Sequence, residues 1–181
     1  MTVLPHSSLQ PGLPFPSLEI NVVGIEETQP LFDATSERAK LIVVFRGAFC
    51  PFCRKTIEKL KETLPLLQEA EIDLIAISAD KQEVAEKHVQ DNEITFPVGY
   101  NLGVQEMKQL GVYVSAPTNY IEQEQLFSEP AWFLVLSNGL IKFLDYSSVP
   151  FGGRPDVERV VQFYKWTLGN GSKVAWGAHA I

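Results

Sequence analysis

Short, wholly apolar runs alternate along the chain with segments whose apolar residues recur every three or four positions. The apolar runs are "LIVVF" (41–45), "IDLIAIS" (72–78) and "AWFLVL" (131–136). Runs of this length and β-branched character are typical of strands that are buried on both faces. A fourth strand, "LIKFLDY" (140–146), follows across a Ser-Asn-Gly turn signal, and "LEINVV" (18–23) predicts a possible first strand.

The segments between these runs have helical periodicity. Apolar residues at helical spacing predict a helix over 57–67, and Pro65 is expected to kink or break that helix near its end. Asp80 starts an Asp-x-x-Glu variant of the capping box, which predicts that it caps a second helix. Two more helices are predicted, one over 102–110 and one that starts near Pro155 and ends at Gly169.

The order of these elements predicts the fold class and the domain limits. Strands that alternate with helices indicate an α/β protein with a layered sheet, and the closing hairpin makes that sheet mixed. The domain is expected to cover residues 16–170, between a flexible N-terminal segment (1–15) and a C-terminal tail (171–181). Residues 113–129 follow no period and are interpreted as an insertion, with a short helix near "YIEQEQL" (120–126).

Composition and charge exclude several classes of function. A chain of 181 residues with 45% hydrophobic and 20% charged residues fits one globular domain that needs no disulfides. Its formal net charge of −7 argues against nucleic-acid binding, which needs clustered cations. No window reaches the roughly 18 apolar residues of a membrane span, and the first 20 residues do not resemble a signal peptide. We therefore expect a cytoplasmic protein with reduced thiols and no membrane partner.

Both cysteines of the chain lie in one short stretch, "FRGAFCPFCRK" (45–55). Cys50 comes just after a buried strand and at the start of a helix, where free N–H groups and the helix dipole stabilise a thiolate. Arg46 and Arg54 are expected to act in the same direction. At a helix start the two side chains can approach closely enough for a disulfide. The spacing therefore predicts an exposed nucleophile, Cys50, and a partner one turn inward, Cys53.

Three other interpretations of this pair are considered. The cysteines could be ordinary core residues. They could be half of a zinc site, although the three histidines, His6, His88 and His179, are far apart and there is no second Cys-x-x-Cys. They could also belong to a redox sensor or interaction module without catalytic activity, because fold does not dictate activity.

The stretch "VVFRGAFCPFCRKTIEKL" (43–60) resembles the redox-site region of the thioredoxin-fold superfamily, especially its peroxiredoxin-like AhpC/TSA branch. The nearest pattern is that of members with an Arg-Gly-x-x-Cys-Pro-x-Cys site. The resemblance extends over about residues 16–168 and includes "LIAISAD" (74–80), "SEPAWFLVLSNGLIKFLDY" (128–146) and "GGRPDVERVV" (152–161). It implies a thioredoxin-like three-layer α/β/α sandwich with a central mixed β-sheet and an N-terminal extension.

The resemblance also implies roles for particular residues. Pro130 matches the family's cis-proline, and Arg154 matches an arginine at the start of the closing helix. The implied catalytic residues are Cys50, Cys53, Arg46, Pro130 and Arg154, and the implied substrate-binding residues are Gly47, Phe49, Pro51, Phe52 and Glu129. No metal, flavin or other cofactor is implied. Where typical peroxiredoxins place a threonine and a proline around the peroxide, this chain has Gly47 and Val43.

The function implied is that of a peroxiredoxin-like antioxidant enzyme that reduces peroxides with the Cys50 thiolate and resolves the product with Cys53. The alternative is a thiol-disulfide oxidoreductase acting on protein or small disulfides, because Cys-Pro-Phe-Cys is similar to the dithiol sites of thioredoxins and glutaredoxins. Either enzyme would use a thioredoxin- or glutathione-type reductant. Exposed edge strands and the aromatic tail make a homodimer an expectation as well.

Overall fold

A seven-stranded mixed sheet forms the centre of the protein in the computed structural model, which describes residues 9–118, 124–169 and 177. The strands of this sheet are β1 (Glu19–Val22), β2 (Gln29–Pro30), β3 (Ala39–Val44), β4 (Ile72–Ile77), β5 (Val98–Tyr100), β8 (Ala131–Val135) and β9 (Ile141–Tyr146), and a separate ribbon is made by β6 (Val114–Ser115) and β7 (Phe127–Ser128). The helices in the described part of the chain are α1 (Pro51–Glu69), α2 (Gln82–Asp91), α3 (Val104–Leu110) and α4 (Val157–Gly169).

The strand order is β2-β1-β5-β4-β3-β8-β9, which places β3 deep within the sheet. Strand β3 is parallel to β4 and antiparallel to β8, so the sheet is mixed, as predicted. Residues 41–44 are at most 1% exposed. The run "LIVVF" is apolar without alternation because helices cover both faces of this strand.

Side chains of successive residues of β3 pack into two separate cores. Leu41 and Val43 lie in the core that α1 and α4 cover, whereas Ile42 and Val44 lie in the core that contains α3. Because neighbouring residues of a strand point to opposite faces, the two cores lie on opposite sides of the sheet. This arrangement confirms the predicted α/β/α sandwich with a central mixed sheet.

Pro65 does not break α1, which contradicts one of the two predicted effects, a break or a kink. The helix runs from Pro51 to Glu69 with Pro65 inside it. Proline removes one N–H and therefore one hydrogen bond to the carbonyl four residues earlier, and here Pro65 occupies an exposed position of the helix. Leu67, two residues later, is fully buried, and its packing stabilises the end of the helix.

Asp80 does not cap α2, contrary to the capping-box prediction. The helix begins at Gln82 after Lys81, which makes no side-chain capping bond. The carboxylate of Asp80 instead accepts hydrogen bonds from the Ala48 N–H (2.9 Å) and the Ser78 hydroxyl (2.9 Å). A buried carboxylate needs hydrogen-bond donors, and the loop before α1 supplies one of them, the Ala48 N–H.

The described half of the N-terminal segment pairs with the hairpin between β8 and β9, although the sequence predicts flexibility for 1–15. Gly12 donates its N–H to the Ile141 carbonyl (2.7 Å), and Phe15 donates to Gly139 (2.9 Å). Phe15 also packs edge-on against Phe133. Residues 1–8 lie outside the described residues.

The insertion contributes the β6–β7 ribbon, which returns the chain to the start of β8. Residues 120–123 of the predicted short helix lie outside the described residues, and 124–126 are not helical. The tail 171–181 also lies outside them, apart from Gly177. Of the described helices, none has the length and apolar character to cross a membrane.

Replacing Pro65 with alanine tests the interpretation that this residue is a tolerated defect. Pro65→Ala restores a helical N–H on an exposed face, so we expect it to raise the free energy of unfolding by about 1–3 kcal/mol in urea denaturation. Glu62→Ala, an exposed change in the same helix, is the control and should have a much smaller effect. A loss of stability in Pro65→Ala would mean that the helix needs the proline.

Candidate active site

The end of β3 and the start of α1 position the two cysteines. Cys50 is the residue immediately before α1, in extended conformation, and Pro51 is the first helical residue. Proline suits this place because the first N–H groups of a helix have no partner within the helix. Cys53 lies in the first turn, so the two thiols face each other across the helix start. The predicted placement of the pair is therefore correct.

Asp80 holds the loop that contains residues 46–50. Gly47 has a φ of +143°, which side-chain-bearing residues rarely adopt. A Cβ atom at this position would lie 2.6 Å from the Asp80 carboxylate and 2.9 Å from the Phe49 ring. Glycine is therefore required for the loop to approach Asp80, and the Ala48 N–H can then donate to that carboxylate.

Both cysteines are fully buried, which corrects the prediction that Cys50 is exposed. Both belong to the core on the α1 side of the sheet, and the Arg46 Nη1 lies 3.8 Å from the Cys50 sulfur. Its guanidinium carbon lies 5.4 Å from the ring centre of Phe49 and 4.9 Å from that of Phe127. The Arg46 guanidinium thus lies beside the Cys50 thiol and packs against two aromatic rings, Phe49 of the same loop and Phe127 of the insertion.

Glu129 holds Arg46 in this position. The Arg46 Nε lies 3.1 Å from one carboxylate oxygen of Glu129 and 3.3 Å from the other. The Ser115 hydroxyl donates to the same carboxylate (2.6 Å), and the Glu129 N–H donates to the Tyr113 carbonyl (2.8 Å). Glu129 is 3% exposed and Arg46 is 9% exposed. The pair is therefore shielded from solvent, which strengthens its attraction.

A second arginine contacts the second thiol. The Arg154 Nη2 lies 3.2 Å from the Cys53 sulfur, and Nη1 donates to the Thr56 hydroxyl (2.5 Å). Nε and Nη2 also donate to the Pro150 carbonyl, at 3.0 and 2.7 Å. These bonds tie the loop before α4 to the first turn of α1. Each thiol thus has its own guanidinium.

The two thiols have opposite acidities. The Cys53 thiol, the Cys53 backbone N–H and the Arg46 guanidinium together hold the pKa of Cys50 at about 5, against the opposing effect of burial. The pKa of Cys53 is raised, chiefly by its hydrogen bond with Cys50 and by burial, although Arg154 opposes the shift. Cys50 is therefore the thiol that loses its proton first, whereas Cys53 keeps its proton and donates a hydrogen bond to the Cys50 thiolate.

The other predicted site residues lie around this centre with different contacts. Arg54 donates to the Ala48 carbonyl (3.0 Å), so it braces the loop. Pro51 and Phe52 are exposed beside the pair, and Phe52 contacts Phe151 edge-on, with ring centres 6.3 Å apart. Pro130 is buried directly after Glu129.

The Glu129–Pro130 peptide bond is trans, which corrects the predicted cis bond, because no cis bond occurs among the described residues. The chain here enters β8 in extended form, and the Pro130 carbonyl accepts the Ser147 N–H (3.0 Å). This hydrogen bond forms with the trans isomer and does not require the less favourable cis isomer.

Sequence reasoning missed Asp80 as a support of the redox loop, as well as Ser115, Phe127 and Thr56. A signal existed for Asp80, since it follows β4, and the carboxyl ends of the parallel strands β3 and β4 meet at one edge of the sheet. Ser115 and Phe127 had no such signal because the insertion follows no period. In the described ranges, no group of three or more His, Cys, Asp or Glu side chains is arranged to hold a metal ion.

Comparisons with known proteins place this site in a family. A sequence profile of the AhpC/TSA family matches residues 11–144. Thiol-disulfide oxidoreductase ResA of Bacillus thuringiensis is 31% identical over 78 residues, which cover 42% of this chain and 44% of ResA. The chain thus matches less than half the length of this curated relative.

Solved peroxiredoxin structures share the fold over most of its length. Peroxidoxin BcpB of Mycobacterium tuberculosis superposes with a TM-score of 0.71 at 12% identity, covering 87% of this chain and 97% of BcpB. Peroxiredoxin 6 of Arenicola marina, solved as a cysteine-to-serine mutant, gives a TM-score of 0.75 at 15% identity, covering 96% of this chain and 80% of that protein. With the profile match across more than half of the chain, these findings show that the protein belongs to the AhpC/TSA family and has the thioredoxin-like fold of peroxiredoxins.

Proposed function

We propose that the protein is a thiol-dependent oxidoreductase that cycles Cys50 and Cys53 between dithiol and disulfide. The observation that carries this proposal is the position of the Cys50 sulfur, which lies under Arg46 and beside a second thiol that has its own arginine. A merely structural pair of core cysteines would not need two buried or half-buried cations directed at the sulfurs.

The first step is attack by the Cys50 thiolate. With a peroxide, the sulfur attacks one oxygen of the O–O bond, the bond breaks, and the other oxygen leaves as an alcohol or water after it takes up a proton. Cys50 becomes a sulfenic acid. Arg46 is placed to donate to the peroxide oxygens while it also neutralises the thiolate.

The second step closes the disulfide. The Cys53 sulfur attacks the sulfenic sulfur of Cys50, the S–O bond breaks, and the oxygen leaves as water. Once Cys50 is oxidised it no longer carries the charge that helps to raise the pKa of Cys53. Arg154 then remains as the cation next to Cys53 and favours its thiolate form.

We favour a small peroxide as the oxidant. The Cys50 sulfur is fully buried, and Arg46 beside it is itself packed against the rings of Phe49 and Phe127. This burial supports a small substrate over a folded protein that carries a disulfide. The peroxiredoxin fold of the relatives supports the same choice.

A disulfide substrate is the second candidate. Gly47 and Val43 stand where typical peroxiredoxins have the threonine and proline that frame the peroxide, and the thiol pair has the Cys-x-x-Cys spacing of dithiol enzymes. The likeness to ResA, a thiol-disulfide oxidoreductase, supports this candidate as well. In both cases an external thiol reductant would close the cycle.

Stopped-flow oxidation of the reduced protein separates the two candidates. We expect hydrogen peroxide to react much faster than it does with a free cysteine at the same pH, and a small disulfide to react more slowly. Cys50→Ser should abolish both reactions, whereas Cys53→Ser should keep the first step and accumulate a sulfenic acid that dimedone traps. Peroxide reactivity equal to that of a free thiol would contradict the peroxidase candidate. Full activity in Cys50→Ser would contradict the proposed thiol-dependent enzyme as a whole.

Charge removal at Arg46 tests the proposed activation of Cys50. Arg46→Met leaves the Glu129 carboxylate buried without its partner, so we expect a loss of about 3–5 kcal/mol of stability. The double variant Arg46→Met/Glu129→Gln removes both charges and should recover much of that loss. In this double variant the pKa of Cys50 should rise, and its oxidation at about pH 6 should slow at least tenfold.

Arg38→Met is the matched control, because Arg38 pairs with Asp73 in a partly exposed ion pair away from the thiols. Neither the pKa of Cys50 nor the oxidation rate should change in this variant. If the double variant oxidised as fast as the wild type, Arg46 would have no part in activating the thiol.

A further inference from the structure

A cleft of about 350 Å³ lies beside the first two turns of α1 and the start of α4. Its walls include Phe52, Lys55, Thr56, Lys59, Trp132 and Arg154. Arg154 connects this cleft to the redox pair, since it lines the cleft and its Nη2 lies 3.2 Å from the Cys53 sulfur. The cleft therefore approaches the pair from the side of Cys53.

The charges of the cleft favour an anion. Lys55, Lys59 and Arg154 supply three cations, and Asp156 supplies one carboxylate. Lys59 is partly neutralised by Glu158 at 3.4 Å and Glu62 at 3.8 Å. Lys55 forms no ion pair with any described residue, so its charge is available to a ligand. Among the residues that line the cleft, cations outnumber carboxylates three to one, in a chain whose net charge is −7.

Trp132 provides an independent sign of a ligand. This residue lines the cleft and is 1% exposed, yet its indole N–H has no acceptor among the residues that the structure describes. Buried donors without partners are rare in folded proteins and call for an explanation. An acceptor group of a bound ligand would satisfy it, while Phe52 and Trp132 offer apolar contacts to the rest of that ligand.

The chemistry of the disulfide distinguishes its two sulfurs. In thiol–disulfide exchange, the sulfur whose thiol has the lower pKa is the better leaving group. In the reduced pair the pKa of Cys50 is about 5 and that of Cys53 is raised, and the Cys50 sulfur keeps its contact with the Arg46 guanidinium at 3.8 Å. An incoming thiolate that attacks Cys53 expels Cys50, whose charge Arg46 stabilises. Attack on Cys50 would have to take place under Arg46, whereas the cleft reaches Arg154, which contacts the Cys53 sulfur.

We propose that the oxidised pair is reduced by a low-molecular-weight thiol bearing a carboxylate or sulfonate, which binds in the cleft beside Arg154 and attacks Cys53. This inference rests on the proposed dithiol/disulfide cycle and names the class of its reductant. The anionic group of the ligand binds Lys55 and Lys59, and Arg154 neutralises the attacking sulfur.

The step balances as a two-electron reduction. The thiolate RS⁻ forms a bond to the Cys53 sulfur, the Cys50–Cys53 bond breaks, and its electron pair leaves with Cys50 as a thiolate. A second RS⁻ then attacks the external sulfur of the Cys53 mixed disulfide. RSSR departs, and the Cys53 sulfur takes a proton from solvent. Two thiols are oxidised for each protein disulfide reduced.

The test uses the full chain, oxidised beforehand with excess small disulfide and then freed of it. The reductants are 3-mercaptopropionate, 2-mercaptoethanol and cysteamine, which are anionic, neutral and cationic, and their rate constants are compared per thiolate. At low ionic strength we expect the anionic thiol to react about tenfold faster than the neutral one and the cationic thiol to be the slowest. High salt should reduce this preference to about twofold or less.

Lys55→Glu should abolish the preference for the anionic thiol. Lys165→Glu is its matched control, because it changes the net charge equally on an exposed lysine that pairs with Glu69 outside the cleft. The control should retain the preference. In acid-quenched samples, tandem mass spectrometry should locate the thiol adduct on Cys53, since Pro51 and Phe52 separate the two cysteines into different fragment ions.

Several outcomes would overturn the inference without affecting the proposed function. They are equal rates for the three thiols, an unchanged preference in Lys55→Glu, or an adduct found on Cys50. Failure of the proposed function would be seen in a different measurement, because the initial oxidation would then yield no Cys50–Cys53 disulfide.

Discussion

The buried ion pair between Arg46 and Glu129 is the interaction on which the rest of the site depends. Removing two charges from water is unfavourable, and here the loss is offset by two close contacts, by the Ser115 hydroxyl and by the Cys50 thiolate. The guanidinium therefore serves two anions at once. The hydrogen bonds from Cys53 are the largest cause of the lowered Cys50 pKa, and Arg46 adds to them. Together they explain why Cys50 is both ionised and buried, a combination that the position of the residue at a helix start does not by itself require.

The remainder of the fold keeps this cluster in place from several directions. Strand β3 delivers Arg46 to the carboxyl edge of the sheet, and Asp80, at the end of the neighbouring strand, fixes the loop through the Ala48 N–H. The ribbon β6–β7 brings Ser115 and Phe127 over the opposite side. Arg154 secures Cys53 from the loop before α4. Residues that are far apart in the chain thus converge on two sulfur atoms.

Much of the fold could be predicted from the sequence because its signals are local. The unbroken apolar character of β3 and the cysteines at the start of α1 follow from burial and helix-end chemistry alone. The partners of Arg46 could not be predicted in this way, because Glu129 and Phe127 reach it through an aperiodic insertion. The exposure of Cys50 was predicted wrongly for the same reason: a sequence shows the helix end but not what folds over it. The prediction of a cis bond at Pro130 was wrong because it was taken from the family resemblance. In this chain the residues before β8 continue into the strand in extended form with a trans bond.

The central claim is that one thiol of the pair is held as a thiolate under Arg46, and the ultraviolet absorbance of the thiolate measures this directly. For the reduced wild-type protein, we predict that the absorbance rises with a midpoint near pH 5 and reaches one thiolate per chain at neutral pH. The Cys50→Ser variant should lack this transition. A wild-type protein without thiolate absorbance until the pH approaches about 8.5, the value of an ordinary cysteine, would contradict the account.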